Sequence, residues 1–138
     1  MKTWFTRIHT LKPTQKELEI LWGHPINSDA DRRDAVNALH QQGIQQIFVC
    51  LEDESVFCSE KDGEQFLLTP PAHTVVDSFG ADDGFMAGLI YCFLEGSAFR
   101  ESANFAMACA ALSRASVSIN NPTLSADNAL YLLKTSQN

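Results

Sequence analysis

Residues 75–88 read VVDSFGADDGFMAG, in which a short apolar strand runs through a turn of small residues into the start of an apolar helix. Backbone N–H groups at a helix N-terminus lack partners within the helix, so a turn of this type can bind an anion. An aspartate in the first helical turn can also accept the proton of a hydroxyl that attacks a bound phosphate. Asp82 and Asp83 are equally good helix caps with no further role, and the residues alone leave both interpretations open.

Upstream of this turn, the sequence predicts a strand followed by two helices. Residues 8–11 alternate apolar and polar side chains, as in a short strand. Thr14 and Glu17 fit a capping box at the start of a helix that Gly23 ends. Residues 28–43 predict a second helix, with a serine cap before it and a glycine after it.

The middle of the chain predicts a sheet. Residues 44–51 (IQQIFVCL) form an apolar run typical of a strand buried on both faces, which indicates a parallel sheet covered by helices. Shorter strands are predicted at residues 56–58, 64–68 and 74–76, with a hairpin turn at residues 61–63. We expect these shorter strands to be antiparallel and to lie at the sheet edge.

The last third of the chain is predicted to be helical. Residues 82–95 and 99–116 are apolar nearly all round, and their glycines and alanines allow close packing, so they predict a buried helix pair. Ser125 caps a final amphipathic helix. Strands and helices together predict an α/β fold, with residues 1–138 as a single unit.

The composition excludes several classes of partner. The 17 acidic residues outnumber the 10 basic ones and give a net charge of −7, so binding to nucleic acid or an anionic membrane is not expected. The apolar run at residues 85–94 is too short to span a bilayer and is interrupted by Gly88. No signal-peptide pattern is present at the N-terminus, so we expect a cytoplasmic protein.

The cysteines and histidines do not form a metal-binding pattern. The cysteines match neither a redox CxxC pair nor a zinc pattern and are predicted to be small buried side chains: Cys50, Cys58, Cys92 and Cys109. His9 is predicted to belong to a strand and His40 to the solvated face of a helix. The acidic residues 52–54 could bind a divalent cation, although such runs are more often simply solvated.

Several segments resemble one kinase family. Residues 77–83 (DSFGADD) resemble its D-T-x-G-A-G-D signature, and residues 12–17 (KPTQKE) resemble its K-P-N-x-x-E segment. Residues 47–56 look like its nucleotide-side strand and loop, and residues 120–122 (NNP) fall where its adenine-side loop lies. The chain is therefore similar to the PfkB (ribokinase-like) carbohydrate and nucleoside kinases, most of all to the pseudouridine-kinase branch and an uncharacterised sister group of sugar kinases.

The resemblance implies a three-layer α/β/α sandwich of the ribokinase type, of which this chain would be the truncated, C-terminal nucleotide-binding half. It implies ATP-dependent phosphoryl transfer to a primary hydroxyl of a furanose sugar or nucleoside. By the motif correspondence, Asp83 would be the catalytic base and Gly80, Ala81 and Asp82 would form the anion hole. Glu17 would help to organise water around Mg²⁺.

The resemblance also implies nucleotide and cation contacts. Asp77 and Ser78 would lie beside a site for a monovalent cation such as K⁺. The implied nucleotide-binding residues are Thr14, Leu51, Glu52, Ser55, Met107 and Asn120. Packing alone would also explain Met107, and a capping box alone would explain Glu17.

Three substitutions depart from the family pattern. Asp82 replaces a glycine of the anion hole, and a carboxylate there would repel phosphate. Residues 52–55 (EDES) replace the Gly-x-x-Gly of the nucleotide loop, and Thr14 replaces an asparagine. We expect Asp82 and the acidic loop to weaken phosphate binding unless Mg²⁺ or a basic residue compensates.

The absence of the family's N-terminal half leads to further expectations. That half would supply the residues that bind the sugar, so the chain alone is expected to be inactive. Its uncovered apolar faces would be buried by self-association into a homo-oligomer or by a partner chain. The alternative is a non-catalytic remnant that persists as an oligomeric interaction module without binding nucleotide.

Overall fold

A computed structural model describes residues 3–70 and 81–114 of the chain. The chain divides into two compact units, Met1–Thr69 and Pro70–Asn138. Among the helices in the described residues, none is long and apolar enough to cross a membrane. That residues 1–138 act as a single unit stays a prediction.

The first unit combines two helices with a four-stranded mixed sheet. Its strands lie in the order β1-β2-β3-β4, with β1 parallel to β2 and the later pairs antiparallel. After a short 3-10 helix at Thr3–Arg7, the elements in chain order are β1 (Thr10–Leu11), α1 (Gln15–Trp22), α2 (Asp29–Gln41), β2 (Gln46–Cys50), β3 (Val56–Glu60) and β4 (Gln65–Leu68). The predicted parallel pairing is thus confirmed for β1 and β2.

The predicted caps and the predicted hairpin are both present. The Thr14 hydroxyl accepts a hydrogen bond from the Glu17 N–H at 3.2 Å, and the Glu17 carboxylate accepts one from the Thr14 N–H at 2.8 Å. Ser28 caps α2 through the N–H of Asp31. Between β3 and β4, the Glu60 N–H donates to the Glu64 carbonyl at 2.9 Å, which places β4 at the sheet edge as predicted.

The core of this unit lies where α1 and α2 contribute their apolar faces. Its members are fully or almost fully buried: Phe5, Leu18, Ile26, Ala35, Val36, Leu39, Ile44, Ile47, Val49 and Phe57. The helical spacing of Ala35, Val36 and Leu39 predicts the buried face of α2 correctly. The apolar run that predicts a doubly buried β2 is also confirmed, because its three central residues are inaccessible to solvent.

The expected position of His40 on a solvated face is wrong. His40 is only 5% exposed, because it lies one helical turn after Val36 on the buried face of α2. Its Nδ1 lies 2.7 Å from the Ile44 carbonyl oxygen and its Nε2 lies 2.7 Å from the Ser59 hydroxyl. A carbonyl only accepts, so Nδ1 carries the hydrogen and Nε2 accepts from Ser59. Burial lowers the pKa of His40.

The described part of the second unit is a pair of closely packed helices, α3 (Ala81–Glu95) and α4 (Phe99–Arg114). A Cβ on Gly88 would lie 2.8 Å from the Ala106 Cα, and a Cβ on Gly84 would collide with the Ser113 hydroxyl. Such short separations leave no space for a side chain at either glycine. The predicted close packing through small residues is therefore confirmed.

Burial differs between these two helices. Most of α4 is buried, as predicted, whereas one face of α3 exposes large apolar side chains. We call this set the exposed α3 face: Ile90, Tyr91, Phe93 and Leu94, which are 45 to 77% exposed. The prediction of a pair buried on all sides is wrong for this face, because α4 packs against only one side of α3. The strand predicted at residues 74–76 and the helix capped by Ser125 lie outside the described residues.

Candidate functional site

A cleft of about 660 Å³ opens on the surface of the first unit. It lies between the start of α1, the first half of α2 and the loop that follows β2. Its lining residues are Thr14, Gln15, Lys16, Glu19, Arg32, Cys50, Leu51, Glu52 and Asp53.

Backbone pairing holds the start of α1 beside the end of β2. The Cys50 N–H donates to the Pro13 carbonyl at 2.8 Å, and Thr14 forms a parallel bridge with Cys50. The parallel ladder of β1 and β2 therefore continues up to the capping residue of α1. Two walls of the cleft are fixed to each other in this way without depending on a side chain.

The loop after β2 forms a compact turn. The Leu51 N–H donates to the Ser55 carbonyl at 2.9 Å and the Glu54 N–H donates to the Leu51 carbonyl at 3.1 Å, while Glu54 adopts a left-handed backbone with a φ of 68°. The Asp53 carboxylate accepts hydrogen bonds from the Ser55 N–H, at 3.0 Å, and from the Ser55 hydroxyl. These bonds lower the pKa of Asp53. Asp53 therefore presents a fixed negative charge at the cleft.

Arg32 supplies a positive charge on the opposite wall. Its Nη1 lies 2.5 Å from an Asp29 carboxylate oxygen, and its Nη2 donates to the Gln15 amide oxygen at 3.2 Å. The guanidinium carbon lies 5.7 Å from the centroid of the Phe57 ring, within the range of a cation–π contact. Lys16, in the first turn of α1, adds a second cation to the lining.

The cleft collects three of the predicted nucleotide-binding residues, Thr14, Leu51 and Glu52. Glu17 is joined to Thr14 by the capping box and is exposed to solvent. Ser55 is buried, with its hydroxyl donating to Asp53, so it supports the loop from within.

The remaining predicted site residues belong to the second unit. Asp83 lies in the first turn of α3 with its side chain exposed to solvent, and Ala81 and Asp82 belong to the same turn. Met107 is buried in α4. Asp77, Ser78, Gly80 and Asn120 lie outside the described residues, so the implied cation, anion-hole and adenine contacts there stay predictions.

Arg32 is one of the cleft residues that were not predicted from the sequence. It stands in a helix rich in charged residues, where an arginine is ordinarily a solvated surface group. The available signal was Asp29, three residues earlier, because this spacing allows an ion pair on one face of a helix. The contacts with Gln15 and Phe57 bridge 17 and 25 residues, so no local pattern indicates them.

Clusters of metal ligands are absent from the described residues. Within residues 3–70 and 81–114, no group of three or more His, Cys, Asp or Glu side chains could hold a metal ion. Cys58, Cys92 and Cys109 are buried, as predicted, whereas Cys50 is only half-buried at the cleft, contrary to the prediction. Burial raises the pKa of Cys109 to about 11, so its thiol is protonated and unreactive at neutral pH.

Comparison with known proteins identifies the family of the chain. Residues 1–126 match the profile described as pfkB family carbohydrate kinase. The chain belongs to this family. The predicted resemblance to the PfkB family is thereby confirmed.

Individual PfkB relatives support the same assignment. The chain is 77% identical over 133 residues to the uncharacterised sugar kinase YeiI of Escherichia coli K12, covering 96% of this chain and 37% of that protein. It is 32% identical over 131 residues to the pseudouridine kinase of the same organism, covering 95% of this chain and 42% of that protein. The predicted likeness to the pseudouridine-kinase branch and to a sugar-kinase sister group is confirmed.

A solved PfkB-type structure supports the predicted fold. Arabidopsis thaliana ribokinase complexed with ribose and ATP superposes with a TM-score of 0.81 at 29% identity, covering 94% of this chain and 42% of that one. The fold is therefore the predicted α/β fold of the ribokinase type. The chain spans about two-fifths of the length of the relatives it matches.

Proposed function

We propose that this chain is the nucleotide-binding portion of a PfkB kinase that transfers a phosphoryl group from ATP to a primary hydroxyl of a furanose sugar or nucleoside. The family match carries this proposal. The cleft supports it, because Thr14, Leu51 and Glu52 line one space together with the cations Lys16 and Arg32. The family match does not favour the alternative of a remnant that binds no nucleotide.

The donor groups of the cleft fit a nucleotide phosphate. Lys16 lies in the first turn of α1, where the helix dipole also favours a negative charge. Arg32 adds a planar guanidinium that can donate several hydrogen bonds to phosphate oxygens. These two cations oppose the carboxylates of Glu52 and Asp53, which would otherwise repel ATP.

Asp83 is the proposed catalytic base. Its carboxylate is exposed in the first turn of α3, where a substrate hydroxyl can reach it. As the hydroxyl oxygen bonds to the γ-phosphorus, its proton passes to Asp83, and the bond from that phosphorus to the leaving oxygen of ADP breaks. The proposed anion hole, Gly80, Ala81 and Asp82, would stabilise the charge on the transferred group.

Mg²⁺ and a monovalent cation are the proposed ions. The donor chemistry of Glu17 fits an outer-sphere role, because its exposed carboxylate binds the Thr14 N–H through one oxygen and retains further acceptor positions for metal-bound water. When bound, Mg²⁺ would neutralise phosphate charge that develops during transfer. The monovalent cation is proposed beside Asp77 and Ser78.

The partners and the cellular location are also proposals. The exposed α3 face is an apolar patch on one helix, and we expect it to be covered by self-association into a homo-oligomer. Sugar or nucleoside binding is proposed to need the remaining part of the ribokinase-type fold. Cysteines used as small buried side chains suit a reducing compartment, so the proposed location is the cytoplasm.

Calorimetric titration of the purified chain with Mg-ATP and Mg-ADP tests the proposed function. Light scattering first establishes the oligomeric state, so that binding is expressed per site. We expect saturable binding of both nucleotides, and Asp83→Asn should retain it because Asp83 acts in the chemical step. A well-folded chain that binds neither nucleotide would contradict the proposal.

A further inference from the structure

Arg32 is a largely buried cation on the wall of the cleft. Its side chain is only 14% exposed, whereas its ion-pair partner Asp29 is 83% exposed. A guanidinium held away from water ordinarily has close partners for its N–H groups. The Arg32 Nε is instead buried with no hydrogen-bond partner among the described residues.

The known contacts of Arg32 orient the guanidinium but do not saturate it. A guanidinium carries five N–H donors; the bonds to Asp29 and Gln15 use two of them, and the Nε donor is shielded from solvent, so the donors left for a ligand are the two remaining N–H groups of Nη1 and Nη2. The Phe57 ring supports the group from one side. The arginine is thus held in place at the cleft with donors left for a further acceptor.

The charge distribution of the cleft indicates what that acceptor is. Glu52 and Asp53 bring two carboxylates to the wall formed by the loop, and Asp53 is held in position by Ser55. Lys16 and Arg32 bring two cations to the walls formed by the helices, and α1 also brings the carboxylate of Glu19, which accepts a hydrogen bond from the Ile26 N–H at 3.0 Å. An anionic ligand would be repelled by the loop and attracted by Lys16 and Arg32.

Arg33, the next residue, provides an internal comparison. Its guanidinium carbon lies 5.2 Å from the centroid of the same Phe57 ring. Its Nη1 donates to the Gln65 side chain on β4 at 2.9 Å, and Arg33 does not line the cleft. The two arginines therefore share an aromatic contact and a helix but differ in access to the cleft.

We propose that Arg32 binds a phosphate of the nucleotide in this cleft and so offsets the repulsion from Glu52 and Asp53. This inference rests on the proposed nucleotide-binding function. It makes Arg32 a ligand-contacting residue that lies outside all four segments that resemble the family, residues 12–17, 47–56, 77–83 and 120–122. The planar guanidinium suits this role because it can donate two parallel hydrogen bonds to phosphate oxygens.

The test is a calorimetric series with ATP, ADP, AMP and adenosine on the full chain. We expect Arg32→Gln to weaken binding of ADP and ATP by about 10-fold, which corresponds to about 1.4 kcal/mol. Adenosine, which has no phosphate, should bind the variant and the unaltered chain equally. The matched control Arg33→Gln should bind all four ligands like the unaltered chain.

The outcomes separate this inference from the proposed function. An unaltered chain that binds no nucleotide contradicts the proposed function and this inference together. If the unaltered chain binds ADP and Arg32→Gln binds it equally well, only the role of Arg32 is wrong. An equal loss for ADP and adenosine would assign Arg32 to structural support of the cleft and would also overturn its role as a phosphate ligand.

Arg32→Gln could unfold the protein, which a low thermal midpoint would reveal. A second variant then tests the inference on folded protein. Arg32→Lys keeps the charge and most of the buried stem but loses the planar pair of donors. We expect it to bind ADP several-fold more weakly and adenosine normally. Affinity for ADP within twofold of the unaltered chain would overturn the inference.

Discussion

The buried histidine of α2 makes the stability of the first unit depend on pH. His40 is neutral in the folded chain, with Nδ1 donating to the Ile44 carbonyl and Nε2 accepting from Ser59. The Ser59 hydroxyl accepts in turn from the Gln65 amide at 3.0 Å. Protonation of Nε2 would place a donor against Ser59 and a charge in the core, so acid should unfold this unit preferentially.

The direction follows from linkage between proton binding and folding. Burial lowers the pKa of His40 in the folded state below the reference value of 6.5, so the unfolded state binds more protons as the pH falls. The contribution to stability is therefore complete above pH 6.5 and is lost as the pH falls from 6.5 towards the folded-state pKa. One proton limits the slope to about 1.4 kcal/mol per pH unit.

Urea unfolding between pH 5 and pH 8 measures this effect. His40→Phe keeps a planar aromatic ring, although a larger one, but removes both hydrogen bonds and leaves the Ile44 carbonyl without this partner. We expect a loss of about 2–4 kcal/mol at pH 8, from two buried bonds and one unsatisfied group. The variant should also lose the part of the pH dependence that His40 supplies.

A matched control isolates the buried ring. His24 is exposed, so His24→Gln should retain the pH dependence of the unaltered chain. If His40→Phe showed the same slope of unfolding free energy against pH as the unaltered chain, the assignment of that slope to His40 would be refuted.

Three further substitutions test the described contacts. Gly88→Leu should force α3 and α4 apart and lower the free energy of unfolding by about 1–3 kcal/mol, measured by thermal unfolding. The control Ala87→Leu, at an exposed position of the same helix, should lower it little. Equal losses from the two substitutions would contradict the close contact. Leu94→Glu should lower the oligomeric state measured by light scattering, because it places a charge on the exposed α3 face. The control Ile20→Glu, at an equally exposed position outside that face, should leave the oligomeric state unchanged. An unchanged oligomeric state in both variants would exclude the exposed α3 face as the contact. Thr14→Ala should cost about 1 kcal/mol in urea unfolding through loss of the cap of α1, and an unchanged midpoint would show that the cap contributes nothing.

Features that depend on neighbouring residues could be predicted from the sequence. The capping box of Thr14 and Glu17 and the hairpin after β3 involve groups within about four residues of each other, so residue type and spacing indicate them. The close packing of α3 and α4 was also predictable, because glycine and alanine at helical spacing leave room for a neighbouring helix to approach closely.

Features that depend on distant residues could not be predicted in this way. The spacing from Val36 places His40 on the buried face of α2, but the partner that satisfies its Nε2 there, the Ser59 hydroxyl, lies 19 residues away, and no local pattern indicates it. Arg32 reaches the cleft through Gln15 and Phe57, which belong to other elements. The exposed α3 face is a different case. Its apolar pattern predicts that the face packs against another surface but does not identify that surface.

The bond from the Cys50 N–H to the Pro13 carbonyl makes the frame of the cleft tolerant of side-chain substitutions during evolution. Because main-chain groups join β2 to the start of α1, the frame of the cleft does not depend on which side chains point into it. Residues 52–55 (EDES) contain no glycine, and the loop closes through the main-chain bond between Leu51 and Ser55. Ligand preference can therefore drift by single substitutions while the folded frame is inherited unchanged.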